Sequence, residues 1–179
     1  MDKKGSDMMR FCTLVQCATA LLVLQVALFS GRAIAQQGTL KQQLVGTWKY
    51  VAVDVVRPDG RREPLYGPNP EGLASFDGAG HYMLLTARAG LPKFAVNDRM
   101  KGTADEYRAV VQGSIAHLGR YEVNEADGTI TFHIQTSTFP NWNGTDQKRP
   151  FTLAGDRLSW RTPASSGGGV AEVVLTRAK

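Results

Sequence analysis

Leu44 to Val56, LVGTWKYVAVDVV, is the first run in which aromatic and β-branched residues crowd a segment of strand length. A Gly46-Thr47-Trp48 step opens it, and the turn-forming Arg57-Pro58-Asp59-Gly60 ends it. Such residues suit a pleated, half-buried surface, so the stretch predicts the first strand of an antiparallel, mostly β domain, with Trp48 as its large apolar anchor. Its alternating sets are Trp48, Tyr50, Ala52, Asp54 and Val56 against Lys49, Val51, Val53 and Val55. Neither set is cleanly polar, which implies protein or a cavity on one side and some apolar cover on the other.

Upstream, Lys3, Lys4 and Arg10 give a basic start, Phe11 to Ser30 is largely apolar, and Ala33-Ile34-Ala35 supplies small residues at the two positions a signal peptidase reads. Residues 1–35 therefore read as a secretory signal peptide, and the expected destination is periplasmic or secreted, with no stable membrane span after processing. A retained anchor is the rival reading, because about 20 apolar residues can span a bilayer. Both cysteines, Cys12 and Cys17, fall in this segment, so the processed chain is expected to carry no disulfide, thiol nucleophile or cysteine metal ligand.

The full chain has 179 residues and a formal charge of +5; residues 36–179 hold 17 basic and 14 acidic residues. That length suits one domain with a single core. Arg61-Arg62 and Lys148-Arg149 are isolated pairs, not the clustered basic surface that nucleic-acid binding requires.

Working outward from the first strand, Arg57 to Glu71 is punctuated by proline and glycine and reads as turn and loop. Gly72 to Phe76 and Tyr82 to Thr86 form a hairpin around Asp77-Gly78-Ala79-Gly80. Thr103 and Glu106 make a capping box, and Tyr107, Val111, Ile115 and Leu118 fit a helical face, which predicts a helix over 103–118. Strands are then predicted at 119–124, 129–138, 147–153, 158–162 and 170–176. Eight short strands with short, mostly sequential connections favour a closed antiparallel barrel with a helix inserted midway, since closure removes exposed edges. No internal repeat or coiled-coil heptad is present to set an oligomeric state.

The pattern LVGTWKYVAVDVVRPDG, YGPNPEGLASFDGAGHYMLL, the predicted helix, GRYEVNEADGTITFHI and NWNGTDQKRPFTLAGDRLSWRTP resembles the bacterial and fungal lipocalin-like domain family, within the wider lipocalin and calycin superfamily, over 44–178. The resemblance implies an eight-stranded barrel whose first-strand tryptophan, Trp48, packs at the closed end with a late arginine, Arg177, across it. A guanidinium can cover an indole face in this way while its charge stays partly wet.

Candidate ligand-binding residues are Tyr121, His133, Arg149 and Trp142. Inward faces would set a phenol, an imidazole and a cation around an oxygen-bearing ligand: arginine for a carboxylate or phosphate, histidine for proton exchange, tyrosine as a hydrogen-bond donor. Structural hydrogen bonding or an outward orientation is the bland reading of the same residues. In particular, Ile130, Phe132 and Ile134 alternate with His133, and an apolar interior would turn His133 outward. Trp142 sits in a predicted rim loop, Phe139 to Gly144, where it can meet a ligand or pack across the barrel end. His81 adjoins a turn, and His117 is expected near the helix end, where a positive histidine interacts favourably with the helix dipole. Positions 81, 117 and 133 give no metal-ligand spacing, and no nucleophile elbow or phosphate loop is present, so neither metal nor cofactor is expected.

The favoured function is an exported protein that binds a small, partly hydrophobic or anionic molecule in or at the mouth of its barrel, with Leu85, Phe132, Phe151 and Trp160 as candidate barrel or core residues. The enzymatic rival is a small isomerase, cyclase or hydrolase using His133 as acid or base, with Arg149 and Tyr121 assisting. A structural or protein-binding module using Trp142 and Phe94 is the third reading.

Overall fold

The computed structural model describes residues 38–179. The expected export segment and both cysteines lie outside the described residues. Helix α1 (Leu40–Leu44) leads into β1 (Gly46–Val56), followed by β2 (Arg62–Pro64), β3 (Glu71–Phe76) and β4 (His81–Ala87). After α2 (Ala104–Gly113) come β5 (Ser114–Asn124), β6 (Thr129–Ser137), a 3-10 turn (Pro140–Trp142), β7 (Asp146–Ala154), β8 (Arg157–Thr162) and β9 (Val170–Arg177). Consecutive strands from β3 to β9 pair antiparallel, β3 pairs with the start of β1, and β9 pairs back onto β1. That seam closes eight strands into a barrel. Short β2 is an appendage on the far end of β1, at Asp54 to Val56.

The mixed pattern of the first strand has a specific cause. A register shift between Tyr50 and Ala52 places one extra residue in β1 relative to β9. Inward positions are therefore Trp48 and Tyr50 before the bulge and Val53 and Val55 after it, all buried. Elsewhere the alternation is regular: Tyr82, Leu84 and Thr86 on β4, Ile130, Phe132 and Ile134 on β6, Leu158, Trp160 and Thr162 on β8, and Ala171, Val173 and Leu175 on β9 are buried. Leu85, a candidate core residue, instead lies on the outer wall at 52% exposure, one step out of phase with Leu84. There Leu73 pairs with Leu85, and Met83 with Leu118, giving the wall an exposed apolar surface.

The helix expected over 103–118 is shorter. Its capping box forms as expected, with the Thr103 side chain accepting from the Glu106 amide and Glu106 accepting from the Thr103 amide. It stops at Gly113, and β5 begins at Ser114. The i, i+4, i+7 spacing of Val111, Ile115 and Leu118 fits a helix face, but Ile115 and Leu118 are strand residues on opposite sides of the wall. Pairing along the whole of β4, from Ala87 with Ser114 to His81 with Arg120, outweighs the weak helical preference of this segment. A second register shift, opposite Leu118 and Gly119, brings backbone so close that a Cβ on Gly119 would stand 2.0 Å from the His133 carbonyl oxygen.

One end of the barrel is sealed. Helix α1 inserts Leu44, fully buried, and the two backbone amides at its start, Leu40 and Lys41, donate to the Glu125 carboxylate. Trp48 beneath it donates its indole N–H to the Leu44 carbonyl at 2.8 Å. The Arg177 guanidinium lies 4.2 Å from the Trp48 ring centroid and donates to the Gln43 and Val45 carbonyls. Helix, indole and arginine thus form one plug, so access to the interior is confined to the opposite end.

Candidate functional site

Of the four candidate ligand-binding residues, Tyr121 and His133 lie apart from the other two. Tyr121 is buried near the sealed end, where its hydroxyl donates to the Asp77 carbonyl at 2.7 Å and its ring meets Phe76 edge-on. It fastens the β3–β4 turn. His133 lies on the outer wall because Phe132 and Ile134 occupy the inward positions on either side of it. Its Nδ1 is 2.7 Å from Asp146 Oδ1, and Glu122 stands 3.8 Å from its other ring nitrogen. An imidazole on that face cannot reach a molecule inside the barrel, so neither interior ligand contact nor acid–base chemistry there falls to His133.

Arg149 and Trp142 do come together, near the open end. Arg149 is 3% exposed; its guanidinium carbon lies 4.6 Å from the Phe132 ring centroid and 5.8 Å from that of Trp142. One terminal nitrogen donates to Gln147 Oε1 at 2.6 Å, and no carboxylate pairs with it among the described residues. Burial lowers its pKa to about 10, which leaves it cationic at neutral pH. Trp142 is half-buried, edge-on to Phe139 and to the imidazole of His117. Phe94, the other aromatic of the protein-binding reading, stacks edge-on with Tyr107 beside α2.

Three residues outside the sequence-derived candidate set complete the site: His117, Tyr82 and Thr86. His117 is a buried inward residue of β5, and its Nδ1 shares a 2.7 Å hydrogen bond with the Tyr82 hydroxyl. Burial, reinforced by the nearby Arg149 charge, lowers the His117 pKa to about 3, so the ring is neutral at physiological pH. The same burial raises the phenols of Tyr50 and Tyr82, and that of Tyr66 to about 12. The period-two set Ile115, His117, Gly119, Tyr121 was the available signal for His117, masked by the competing helical spacing.

Thr86, His117, Trp142 and Arg149 border, with Tyr50 and Trp160, a cavity of about 40 Å³ within the barrel, which Tyr82 reaches only through His117. Three of them carry a buried polar atom with no hydrogen-bond partner among the described residues: Thr86 Oγ1, Arg149 Nε and Trp160 Nε1. Such atoms are few in folded proteins, and three on one cavity offer donors and a hydroxyl to water or to a hydrogen-bonding guest. The cavity holds roughly three waters by volume, or the polar head of an organic molecule. Outside it lies a vestibule of about 400 Å³ that shares Leu65, Tyr66, Ile115 and Ser166 with the inner cavity and is bounded by Val111, Phe139 and Gly167. Among the described residues no group of histidine, cysteine and acidic side chains is placed to hold a metal ion.

A barrel plugged at one end, with an arginine-bearing, aromatic-walled pocket and a vestibule of mixed polar and apolar residues at the other, is the architecture of a lipocalin-like protein. The chain belongs to the lipocalin-like domain family, whose model matches residues 45–179. A curated relative from Aspergillus oryzae, a 4'-hydroxy-3'-methoxypropiophenone carrier protein, is 28% identical over 81 residues, covering 42% of this chain and 73% of its own. Among solved structures, a lipocalin-like protein from Bacteroides uniformis aligns with a TM-score of 0.43 and 12% identity, over 76% of this chain and 99% of its own. A redesigned β-barrel bound to DFHBI aligns with a TM-score of 0.39 and 18% identity, over 78% of this chain and 100% of its own.

Proposed function

We propose that this protein is an exported binder of a small, partly apolar molecule, which enters by the open end of the barrel. The molecule's polar group meets the donors of the inner cavity and the rest of its body extends into the vestibule, against Leu65, Val111, Ile115 and Phe139. The observation that carries the reading is the convergence of three unpartnered buried polar atoms, on Thr86, Arg149 and Trp160, on one aromatic-walled cavity. Apolar walls with a few placed polar groups are the usual make-up of a small-molecule site. The relative's description as a carrier supports the same reading, and the apolar run Phe11 to Ser30 with its Ala-Ile-Ala ending supports export.

Binding without turnover fits the residues of the site. Its imidazole is neutral and tied to Tyr82, and its acidic groups are phenols that stay protonated across the physiological range. Trp142 and Trp160 border the cavity and serve as intrinsic reporters. Titration with 4'-hydroxy-3'-methoxypropiophenone, a phenolic ketone whose oxygens can meet the cavity donors and whose ring can pack on its aromatic walls, is expected to quench their emission and saturate at one equivalent. Unchanged emission with that compound, together with no small molecule retained in native mass spectrometry of gently purified protein, would defeat the reading.

A further inference from the structure

The charges around the cavity do not balance, and the imbalance identifies the guest. Among the described residues that border it, Arg149 carries the one formal charge, and no aspartate or glutamate does so. The tyrosines and His117 around it are neutral at pH 7 for the reasons given above. Taking a guanidinium out of water is costly, and a buried charge is ordinarily repaid by a partner of opposite sign. The faces of Phe132 and Trp142 and the Gln147 oxygen repay part of that cost. None of them supplies a negative charge. Meanwhile the Arg149 Nε–H and the Trp160 indole N–H, which can only donate, have no partner among the described residues, and neither has the Thr86 hydroxyl on the same cavity.

We infer that the guest carries a single oxyanion, as a carboxylate or a phenolate on a small apolar body, received by Arg149, Trp160 and Thr86. The inference rests on the binding function proposed above and adds the sign and chemistry of the ligand. An oxyanion satisfies the two donors and the hydroxyl at once, and charge-assisted hydrogen bonds of this kind are the strong ones. A planar guanidinium held between aromatic rings is also preorganised, so little side-chain entropy is lost on binding.

The test compares benzoate with benzamide, which has the same shape and no charge, by calorimetry at pH 7.5 on the wild-type protein and on Arg149→Met, Arg149→Lys and Trp160→Phe. Wild type is expected to prefer benzoate by about tenfold or more, the scale of one or two charge-assisted hydrogen bonds. Arg149→Met should abolish the preference while still binding benzamide, and Arg149→Lys should keep part of it. Trp160→Phe, which leaves the charge in place, should weaken benzoate more than benzamide. Equal affinity of wild type for the two compounds would overturn the oxyanion assignment and leave the barrel a binder. A benzoate preference that survives Arg149→Met would overturn the location. If neither compound binds and the phenolic ketone does not bind either, both this inference and the proposed function fall. In a phenolate arm, 4-nitrophenol titrated from pH 6 to pH 9 should bind more tightly once its hydroxyl ionises, with the bound chromophore showing the phenolate spectrum; bound neutral phenol would count against the inference.

Discussion

His117 is a base held neutral inside the barrel, and that makes it a determinant of acid stability. Its folded-state pKa of about 3 lies below the ordinary value of 6.5, so between those values the unfolded chain binds a proton that the folded chain refuses. Stability from this residue is therefore fully present above pH 6.5 and is lost as the pH falls toward 3, at up to about 1.4 kcal/mol per pH unit. The groups facing it are Tyr82, Trp142 and Arg149, none of which titrates in that window. Urea unfolding at pH 7 and pH 5 is expected to show a clear loss in the wild type and a much smaller one in His117→Gln, which keeps a hydrogen-bond acceptor for Tyr82. Equal losses would assign the acid sensitivity to carboxylates instead. At the same scale, Arg149 shares a strand face with Gln147, Phe151 and Leu153, so the sequence offered an inward cation as one of two readings, and the burial of Arg149 selects it. His133 was no more legible, since the choice between its face and that of Ile130, Phe132 and Ile134 depends on which side of β6 meets the core.

The unit of meaning at the level of the element is the face of a strand. Leu84 and Leu85 are adjacent and chemically identical, yet Leu84 is 5% exposed inside the barrel and Leu85 is 52% exposed outside it. Leu84→Ala is expected to cost about 2–5 kcal/mol through lost burial and a residual cavity. Leu85→Ala should stay within about 0.5 kcal/mol, as outward substitutions generally do. Denaturant midpoints of the two variants measure the difference directly, and similar costs would mean that the strand sits in the opposite register. Elements were readable from sequence where a local rule acts alone: the Thr103–Glu106 capping box and the Asp77–Gly80 turn form where expected. They were misread where two periodicities overlapped. Residues 111–118 satisfy a helical spacing, and pairing with β4, and at His117 and Leu118 also with β6, turned 114–118 into strand.

Across the whole molecule, stability depends on the seam between β1 and β9, which joins segments more than a hundred residues apart in the chain. It pairs Trp48 with Arg177 at one end and Val56 with Val170 at the other, and it places Arg177 over the plug. A chain ending at Gly169 loses buried Val173 and Leu175, the Arg177 cover on Trp48, and the pairing of two strand edges at once. It is expected to lose both its near-ultraviolet tryptophan signal and its cooperative thermal transition; a retained cooperative transition would show that the open sheet is stable without closure. The sequence alone determined the strand-rich architecture, the positions of most turns, the helix start and the family, because these follow from local propensity, turn chemistry and a recurring motif. Tertiary structure decided which face of each strand looks inward, where bulges reverse that choice, and that His117, Thr86, Arg149 and Trp160 share one cavity. Those outcomes depend on pairing register and closure between distant strands, and a single residue of register moves a side chain from the interior to the solvent.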